Sequence, residues 1–157
     1  MKIAVFDIDD TLIIHGNGSN NYYKDVTSNI KEIIDSKLYE RIYIFTNGTW
    51  GHGYHVCEGL GILDDVSFIY GRDNLQRMLH PFHMKPNYQS FLFVNYSIQY
   101  DSGSQENEIH FFDDMKENLK TAKGVGWKTI LINPTGIQED YIDHVFPNIY
   151  AALLSIL

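Results

Sequence analysis

The stretch Lys2-Ile3-Ala4-Val5-Phe6-Asp7-Ile8-Asp9-Asp10-Thr11 decides the fold, because it places an apolar run directly before a cluster of acids. A short, unbroken apolar run is typical of a strand that is buried on both faces of a parallel sheet. The acids cannot continue such a strand, so they should lie where it ends. We therefore predict a buried first strand, Ile3–Phe6, that delivers Asp7 and Asp9 to an edge of the sheet.

Four further apolar runs follow along the chain, and amphipathic segments separate them. The other predicted strands are Ile42–Thr46, Val66–Tyr70, Ile109–Phe112 and Thr129–Ile132. The predicted helices are Thr27–Ser36, Tyr54–Leu60, Pro86–Ile98, Lys116–Gly126 and a terminal helix over Ile149–Leu157. Alternation of strands and helices favours an α/β fold, in which right-handed crossovers place helices on both faces of a parallel sheet.

The composition is that of an ordinary globular chain. Its 157 residues are 44% hydrophobic and 20% charged, which excludes a disordered chain and fits one domain over 1–157. The net charge of -8 would repel phosphate backbones, so we expect no non-specific nucleic-acid binding. Cys57 is the only cysteine, so no intramolecular disulfide can form. Neither terminal apolar run is long enough to span a bilayer, so we expect no membrane partner and a cytoplasmic location.

Polar residues suited to phosphoryl chemistry follow the predicted strands. They are Asp7 and Asp9 after the first strand, Thr46 and Asn47 at the end of the second, Lys85 at the start of the helix after the third, and Asp113 and Asp114 after the fourth. Ligands of open parallel sheets bind at the carboxyl ends of the strands. We therefore predict that these residues converge on one edge.

The chemistry of these residues is coherent. Asp7 and Asp113 offer the hard oxygen ligands that Mg²⁺ prefers. A bound metal would neutralise the charge that opposes attack of a carboxylate on phosphate, which makes an aspartyl-phosphate accessible. The Thr46 hydroxyl and the Lys85 ammonium would stabilise the transferred group. Asp9 would protonate the leaving oxygen and then deprotonate the attacking water.

These segments resemble the motifs of the haloacid dehalogenase (HAD) superfamily, all four in order. The matching segments are Asp7-Ile8-Asp9-Asp10-Thr11, Ile42-Tyr43-Ile44-Phe45-Thr46, Lys85-Pro86 and Phe111-Phe112-Asp113-Asp114. The resemblance implies a Rossmann-like sheet of five parallel strands in the order 3-2-1-4-5 and Mg²⁺-dependent hydrolysis. It also implies site roles: Asp7 and Asp9 as catalytic residues; Asp7, Asp9 and Asp113 as metal ligands; and Thr46, Asn47 and Lys85 as phosphate-binding residues. Asp114 could contact the metal through water or cap the following helix.

Within the superfamily, the chain is most similar to the pyrimidine 5′-nucleotidase-like branch. The similarity lies in Phe45-Thr46-Asn47, Leu60-Gly61-Ile62, Phe112-Asp113-Asp114-Met115-Lys116-Glu117-Asn118 and Gly126-Trp127-Lys128-Thr129. That branch carries a helical cap after its first motif, whereas a short flap and one helix separate Thr11 from Ile42 here. We therefore predict a domain without a cap. Superfamily dehalogenases lack a carboxylate at the place of Asp9, so this residue favours a phosphatase, and the missing cap argues against a mutase.

Several alternatives remain open from the sequence. The acids Asp7, Asp9 and Asp10 could be turn and helix-cap residues, and Asp10 suits a turn best. The protein could be a nucleotide-specific 5′-nucleotidase or a non-catalytic phosphate-binding domain of the same fold. The substrate could be a small phosphorylated metabolite or a larger phosphorylated molecule, and an oligomer could complete the site. The residues expected at the rim are the flap Ile13–Tyr23, including His15, and two histidines of the glycine-rich stretch, His52 and His55.

Overall fold

The computed structural model describes residues 1–14 and 30–156. Their strands form one parallel sheet in the order β3-β2-β1-β4-β5-β6. The strands are β1 (Lys2–Phe6), β2 (Arg41–Phe45), β3 (Val66–Tyr70), β4 (Glu108–Asp113), β5 (Lys128–Ile132) and β6 (His144–Phe146).

The predicted parallel α/β sheet is confirmed, including the order of its first five strands. The predicted number of strands is wrong, because β6 adds a sixth strand beside β5. This strand has three residues, none of them buried, so it lacks the apolar run by which the other strands were recognised.

Helices cover both faces of the sheet, as the alternation predicts. They are α1 (Ile30–Asp35), α2 (Trp50–Gly59), α3 (Arg72–Met78), α4 (Tyr88–Ser102), α5 (Lys116–Gly124) and α6 (Ile149–Ile156). Alternate side chains of β1 enter two different cores. Ala4 and Phe6 pack with α1, α2 and α6, whereas Ile3 and Val5 pack with α3, α4 and α5. No helix in the described ranges is long and apolar enough to cross a bilayer.

The segment between β3 and β4 differs most from the prediction. Helix α3 was not predicted, and α4 begins at Tyr88 rather than Pro86, with Asn87 Oδ1 accepting from the Gln89 N–H at 2.9 Å. Lys85 therefore lies in the loop between α3 and α4, not at the start of the helix that follows β3. The loop turns back over the carboxyl edge of the sheet and brings Lys85 to Asp7 and Asp113.

Helix α2 begins at Trp50, four residues before its predicted start, because Thr49 caps it. The Thr49 Oγ1 accepts from the His52 N–H at 3.1 Å, which satisfies one of the free N–H groups of the first turn. The first three residues of the predicted helix Thr27–Ser36 and the last residue of Ile149–Leu157 lie outside the described residues.

Candidate active site

Asp7 stands directly beyond the end of β1. Its backbone N–H donates to the Phe112 carbonyl at 3.0 Å, so β4 holds it in place. The chain then turns tightly, with the Leu12 N–H donating to the Ile8 carbonyl at 2.9 Å. Asp10 has φ 59°, a left-handed conformation that Asp adopts more readily than most residues. Asp10 thus serves the turn, as its position in the sequence suggests.

Lys85 joins the first and fourth strands at the centre of the site. Its Nζ lies 3.1 Å from Asp7 Oδ1, 2.9 Å from Asp113 Oδ2 and 2.7 Å from the Phe45 carbonyl oxygen. The Lys85 side chain is only 1% exposed. A buried ammonium is tolerated only when it is paired and fully hydrogen-bonded, and these three acceptors meet that condition.

Asn47 fixes the backbone of Lys85. The Asn47 Nδ2 donates to the Lys85 carbonyl at 3.1 Å, and the Lys85 N–H donates to Asn47 Oδ1 at 3.0 Å. Both polar atoms of the Asn47 amide are therefore engaged by the lysine loop. The sequence suggested Asn47 as a phosphate-binding residue and did not indicate this clamp, because its partner is 38 positions away.

Asp113 is fully buried and has partners on both oxygens. Its Oδ1 accepts from the Met115 N–H at 2.8 Å, and its Oδ2 accepts from Asn118 Nδ2 at 3.0 Å as well as from Lys85. Asn118 was not among the predicted site residues. It lies inside the segment Phe112–Asn118 that carries the family resemblance. Its place on the first turn of α5, just after Asp113, could have indicated that it belongs to the site.

A third carboxylate completes an acidic cluster. Asp7, Asp113 and Asp114 each offer a carboxylate oxygen, and these oxygens all lie within 4.8 Å of one another. The Thr11 hydroxyl lies 3.2 Å from Asp7 Oδ2 and 3.4 Å from Asp114 Oδ1. Three carboxylates against one ammonium would leave excess negative charge, so the donor set suits a hard divalent cation such as Mg²⁺.

Burial and charge shift the protonation of these groups. Burial raises the pKa of Asp7 to about 6, although the nearby Lys85 ammonium opposes the rise. Burial also raises the pKa of Asp113 to about 6, aided by repulsion from Asp7 and opposed by Lys85. Burial disfavours the charged form of Lys85, but the two carboxylates outweigh it and raise its pKa above the ordinary value. The two carboxylates therefore favour the charged form of Lys85, and its charge in turn opposes their protonation.

Asp9 lies at the mouth of the site and contacts α2. Its Oδ1 is 2.9 Å from His52 Nε2. The Thr46 Oγ1 accepts from the Gly48 N–H at 3.0 Å, which shapes the loop after β2. A Cβ on Gly48 would lie 3.3 Å from both His52 Cδ2 and Thr46 Oγ1, so this close packing favours glycine.

A pocket of about 170 Å³ opens between these strand ends. Six of the predicted site residues line it, together with Asp10, Gly48, Met115 and Asn118. The six are Asp7, Asp9, Thr46, Asn47, Lys85 and Asp114. Asp113 lies buried against Lys85. Of the three histidines expected at the rim, His52 contacts Asp9, His55 is exposed on α2, and His15 lies outside the described residues, as does most of the flap Ile13–Tyr23.

Solved structures share this fold. No family model matches the sequence, and no curated protein is similar enough in sequence to count as a relative. The chain superposes on a dehalogenase with a TM-score of 0.63 and 20% identity, covering 86% of this chain and 56% of that one. YfnB from Bacillus subtilis, described as a HAD-hydrolase and solved bound to magnesium, gives a TM-score of 0.64 and 16% identity. The match covers 83% of this chain and 55% of YfnB.

A third similar structure matches this chain over nearly the whole length of both. The haloacid dehalogenase-like hydrolase SP0104 from Streptococcus pneumoniae gives a TM-score of 0.63 and 14% identity, covering 99% of this chain and 98% of that one. The chain therefore spans a little over half the length of the dehalogenase and of YfnB, but nearly all of SP0104. At these identities the similarity establishes the HAD-like fold alone.

Proposed function

We propose that this protein is a magnesium-dependent phosphomonoesterase in which Asp7 is the nucleophile and Asp9 the general acid/base. One observation carries the proposal: the Asp7, Asp113 and Asp114 oxygens lie within 4.8 Å of one another, and the buried Lys85 ammonium bridges the first two. This arrangement suits a divalent cation and an incoming phosphate. Its position at the carboxyl edge of a HAD-like sheet supports the assignment.

The reaction would proceed in two steps on Asp7. A carboxylate oxygen of Asp7 attacks phosphorus, the bond from phosphorus to the leaving oxygen breaks, and Asp9 donates its proton to that oxygen. Water then attacks the aspartyl-phosphate, Asp9 takes a proton from the water, and the bond from phosphorus to Asp7 breaks. Inorganic phosphate leaves, and both carboxyl groups return to their starting states.

The remaining residues would position and neutralise the phosphoryl group. When bound, Mg²⁺ would be held by Asp7, Asp113 and the Asp9 backbone carbonyl, with Asp114 reached through water, and would offset the charge between the carboxylates and the phosphate. Lys85 would hold Asp7 in place and add a fixed positive charge beside it. The Thr46 hydroxyl lines the same pocket and would contact a phosphate oxygen.

Asp9 favours a phosphatase over a dehalogenase on chemical grounds. A halide ion leaves without a proton, so dehalogenation needs no acid at this position. An alkoxide leaving group is a strong base and needs one, and the Asp9 side chain lines the pocket where the leaving oxygen would lie. A dehalogenase among the similar structures shares the fold, which does not by itself assign a reaction.

The pocket is small for a complete metabolite. Its volume of about 170 Å³ is below the range of roughly 300–1,000 Å³ usual for small-ligand sites, and suits a phosphate group with little else. Because this pocket is small, we propose a substrate that brings its own contact surface, such as a phosphorylated protein. We also propose that residues 1–157 form one domain without a cap and that it acts in the cytoplasm. The net charge of -8 disfavours a long polynucleotide. A nucleotide-specific activity, suggested by the nucleotidase-like motifs, is the second candidate.

Phosphate release from 4-nitrophenyl phosphate tests the function directly. We expect turnover with Mg²⁺, none after EDTA treatment, and none in Asp7→Asn. The same samples should be given 2-chloropropionate. Chloride release without phosphate release would overturn the phosphatase in favour of a dehalogenase, and phosphate binding without turnover would indicate a non-catalytic domain. A panel of nucleoside monophosphates, sugar phosphates and phosphopeptides then distinguishes the two substrate classes.

A further inference from the structure

We infer that His52 is a positioning residue for Asp9, holding its carboxyl group in the orientation required for proton transfer to the leaving oxygen. The inference rests on the proposed phosphatase function and deepens it, because His52 lies outside the four sequence motifs. The structural basis is the contact of 2.9 Å between His52 Nε2 and Asp9 Oδ1.

The contact selects between the two oxygens of Asp9. When Asp9 is ionised, its Oδ1 only accepts, so His52 donates to it from Nε2–H. The terminal torsion of an aspartate side chain has a broad distribution, and a hydrogen bond to one oxygen narrows it. With Oδ1 engaged, Oδ2 is directed towards the loop after β2 and lies 3.8 Å from the position of a Cβ on Gly48. A general acid works only when its proton is within hydrogen-bond reach of the acceptor, so this orientation affects the rate.

His52 is itself held by packing that does not involve the substrate. It lies in the first turn of α2, and its N–H donates to the Thr49 Oγ1 at 3.1 Å. The next residue, Gly53, sits so close to the sheet that a Cβ there would be 3.0 Å from Ile69 Cγ2. Helix α2 is therefore fixed against the sheet. The His52 and Asp9 side chains are 32% and 38% exposed, so the pair is partly shielded from water yet accessible to a substrate.

The contribution of His52 should depend on the basicity of the leaving group. Transfer of the phosphoryl group to Asp7 expels an oxygen that needs a proton if it is strongly basic. Phenolate from phenyl phosphate is much more basic than 4-nitrophenolate and so needs the proton of Asp9 more. A misplaced Asp9 should therefore slow phenyl phosphate more than 4-nitrophenyl phosphate. A merely structural role for His52 would slow both esters by the same factor.

The test compares kcat/KM for these two esters in the wild type and its variants with Mg²⁺ present. This parameter covers the steps through departure of the leaving group. We expect His52→Leu to lower kcat/KM for phenyl phosphate by about 10- to 100-fold more than for 4-nitrophenyl phosphate, since small misplacements of catalytic groups can cost about 100-fold. His52→Gln should recover most of the loss, because its amide can donate to Asp9. His144→Leu makes the same exchange at an exposed residue of β6 and should change neither rate.

Each outcome bears on the assignment. Equal losses for the two esters, or no loss in His52→Leu, overturn the positioning role. In an Asp9→Asn background, His52→Leu should lower kcat/KM for the two esters by the same factor. A larger loss for phenyl phosphate in that background would also overturn the positioning role. A wild type that releases phosphate from neither ester overturns the proposed function itself, whereas an active wild type with equal losses overturns only the role of His52.

Discussion

Asn47 and Lys85 exchange two hydrogen bonds across 38 positions of sequence, at 3.1 Å from Asn47 Nδ2 to the Lys85 carbonyl and at 3.0 Å from the Lys85 N–H to Asn47 Oδ1. The pair ties the loop after β2 to the loop before α4. Because the Lys85 ammonium also contacts Asp7 and Asp113, the pair locks the only described lysine of the pocket onto both acids.

Loss of this clamp should reduce both activity and stability. Asn47→Ala removes both hydrogen bonds, and we expect kcat/KM to fall by roughly 10- to 100-fold as Lys85 loses its fixed position. The accompanying loss of stability should be about 1–3 kcal/mol. Phosphate release and thermal unfolding measure the two effects. The matched control is Asn148→Ala, which removes a hydrogen bond of 2.8 Å to the Ala151 N–H at the start of α6. It should destabilise the protein by about 1 kcal/mol without changing kcat/KM.

Removal of the Lys85 charge should strongly destabilise the folded protein. Lys85→Met leaves Asp7 and Asp113 buried without their cation, and breaking a buried ion pair in this way typically costs about 3–5 kcal/mol. We expect a large drop in the urea midpoint when metal is absent. Saturating Mg²⁺ should recover part of the drop, because the metal replaces the lost positive charge. A midpoint equal to that of the wild type in EDTA would contradict the buried pairing.

The two acids after β1 should respond differently to substitution. Asp7→Asn should abolish phosphate release, because an amide is a poor nucleophile. Asp9→Asn should lower the rate by about 10²–10⁴-fold, the usual contribution of a general acid/base, and should retain Mg²⁺ binding through its backbone carbonyl. Steady-state kinetics and calorimetric titration with Mg²⁺ separate the two effects. Full activity in either variant would refute its assigned role.

Mg²⁺ should stabilise the folded protein through the acidic cluster. A ligand that binds only the native state at 100 times its Kd adds about 2.7 kcal/mol to the free energy of unfolding. We expect the melting temperature of the wild type to rise with Mg²⁺ concentration. Asp113→Asn should show little or no rise, since it removes one of the three clustered carboxylates. Glu139→Gln, an exposed acid outside the cluster, should behave like the wild type. An equal rise in all three proteins would argue against the site.

His110, which lies within β4, should make the stability of the protein depend on pH. Burial lowers its pKa below the ordinary 6.5, although the neighbouring Glu108 carboxylate opposes this and Lys2 and Lys128 add to it. Its ring also lies 2.8 Å from the Tyr39 hydroxyl. Because the folded state resists protonation of His110, the contribution of this residue to the free energy of unfolding is complete above pH 6.5. It is lost as the pH falls through the lowered folded pKa.

His110→Gln should remove this contribution while retaining hydrogen-bonding groups. We expect the difference in unfolding free energy between the wild type and the variant to be larger at pH 7.5 than at pH 5. Denaturant unfolding at the two pH values measures it. The wild type must be compared with the variant because Asp7 and Asp113, whose pKa values are raised to about 6, change the stability in the opposite direction over the same pH range. A difference independent of pH would show that His110 does not titrate as the buried environment implies.

The sequence by itself determined the sheet and the identity of its chemical groups. The five long strands appear in the sequence as short runs dominated by apolar residues, because strands buried on both faces tolerate few polar side chains, although β4 and β5 also bury His110 and Thr129. Asp7, Thr46 and Asp113 therefore mark the points where such strands end. The parallel arrangement then places all three at one edge, whatever the details of the helices.

Only the tertiary structure decided which of these groups touch. The contacts of Asn47 with Lys85 and of Asp9 with His52 join loops that are 38 and 43 positions apart, and no local pattern encodes them. The sequence also missed β6, whose three residues are stabilised by pairing with β5 rather than by burial. The spacing of apolar residues indicates which face of a segment is buried. The pairing of polar side chains depends on where distant segments meet, and their relative positions are fixed only when the two cores pack.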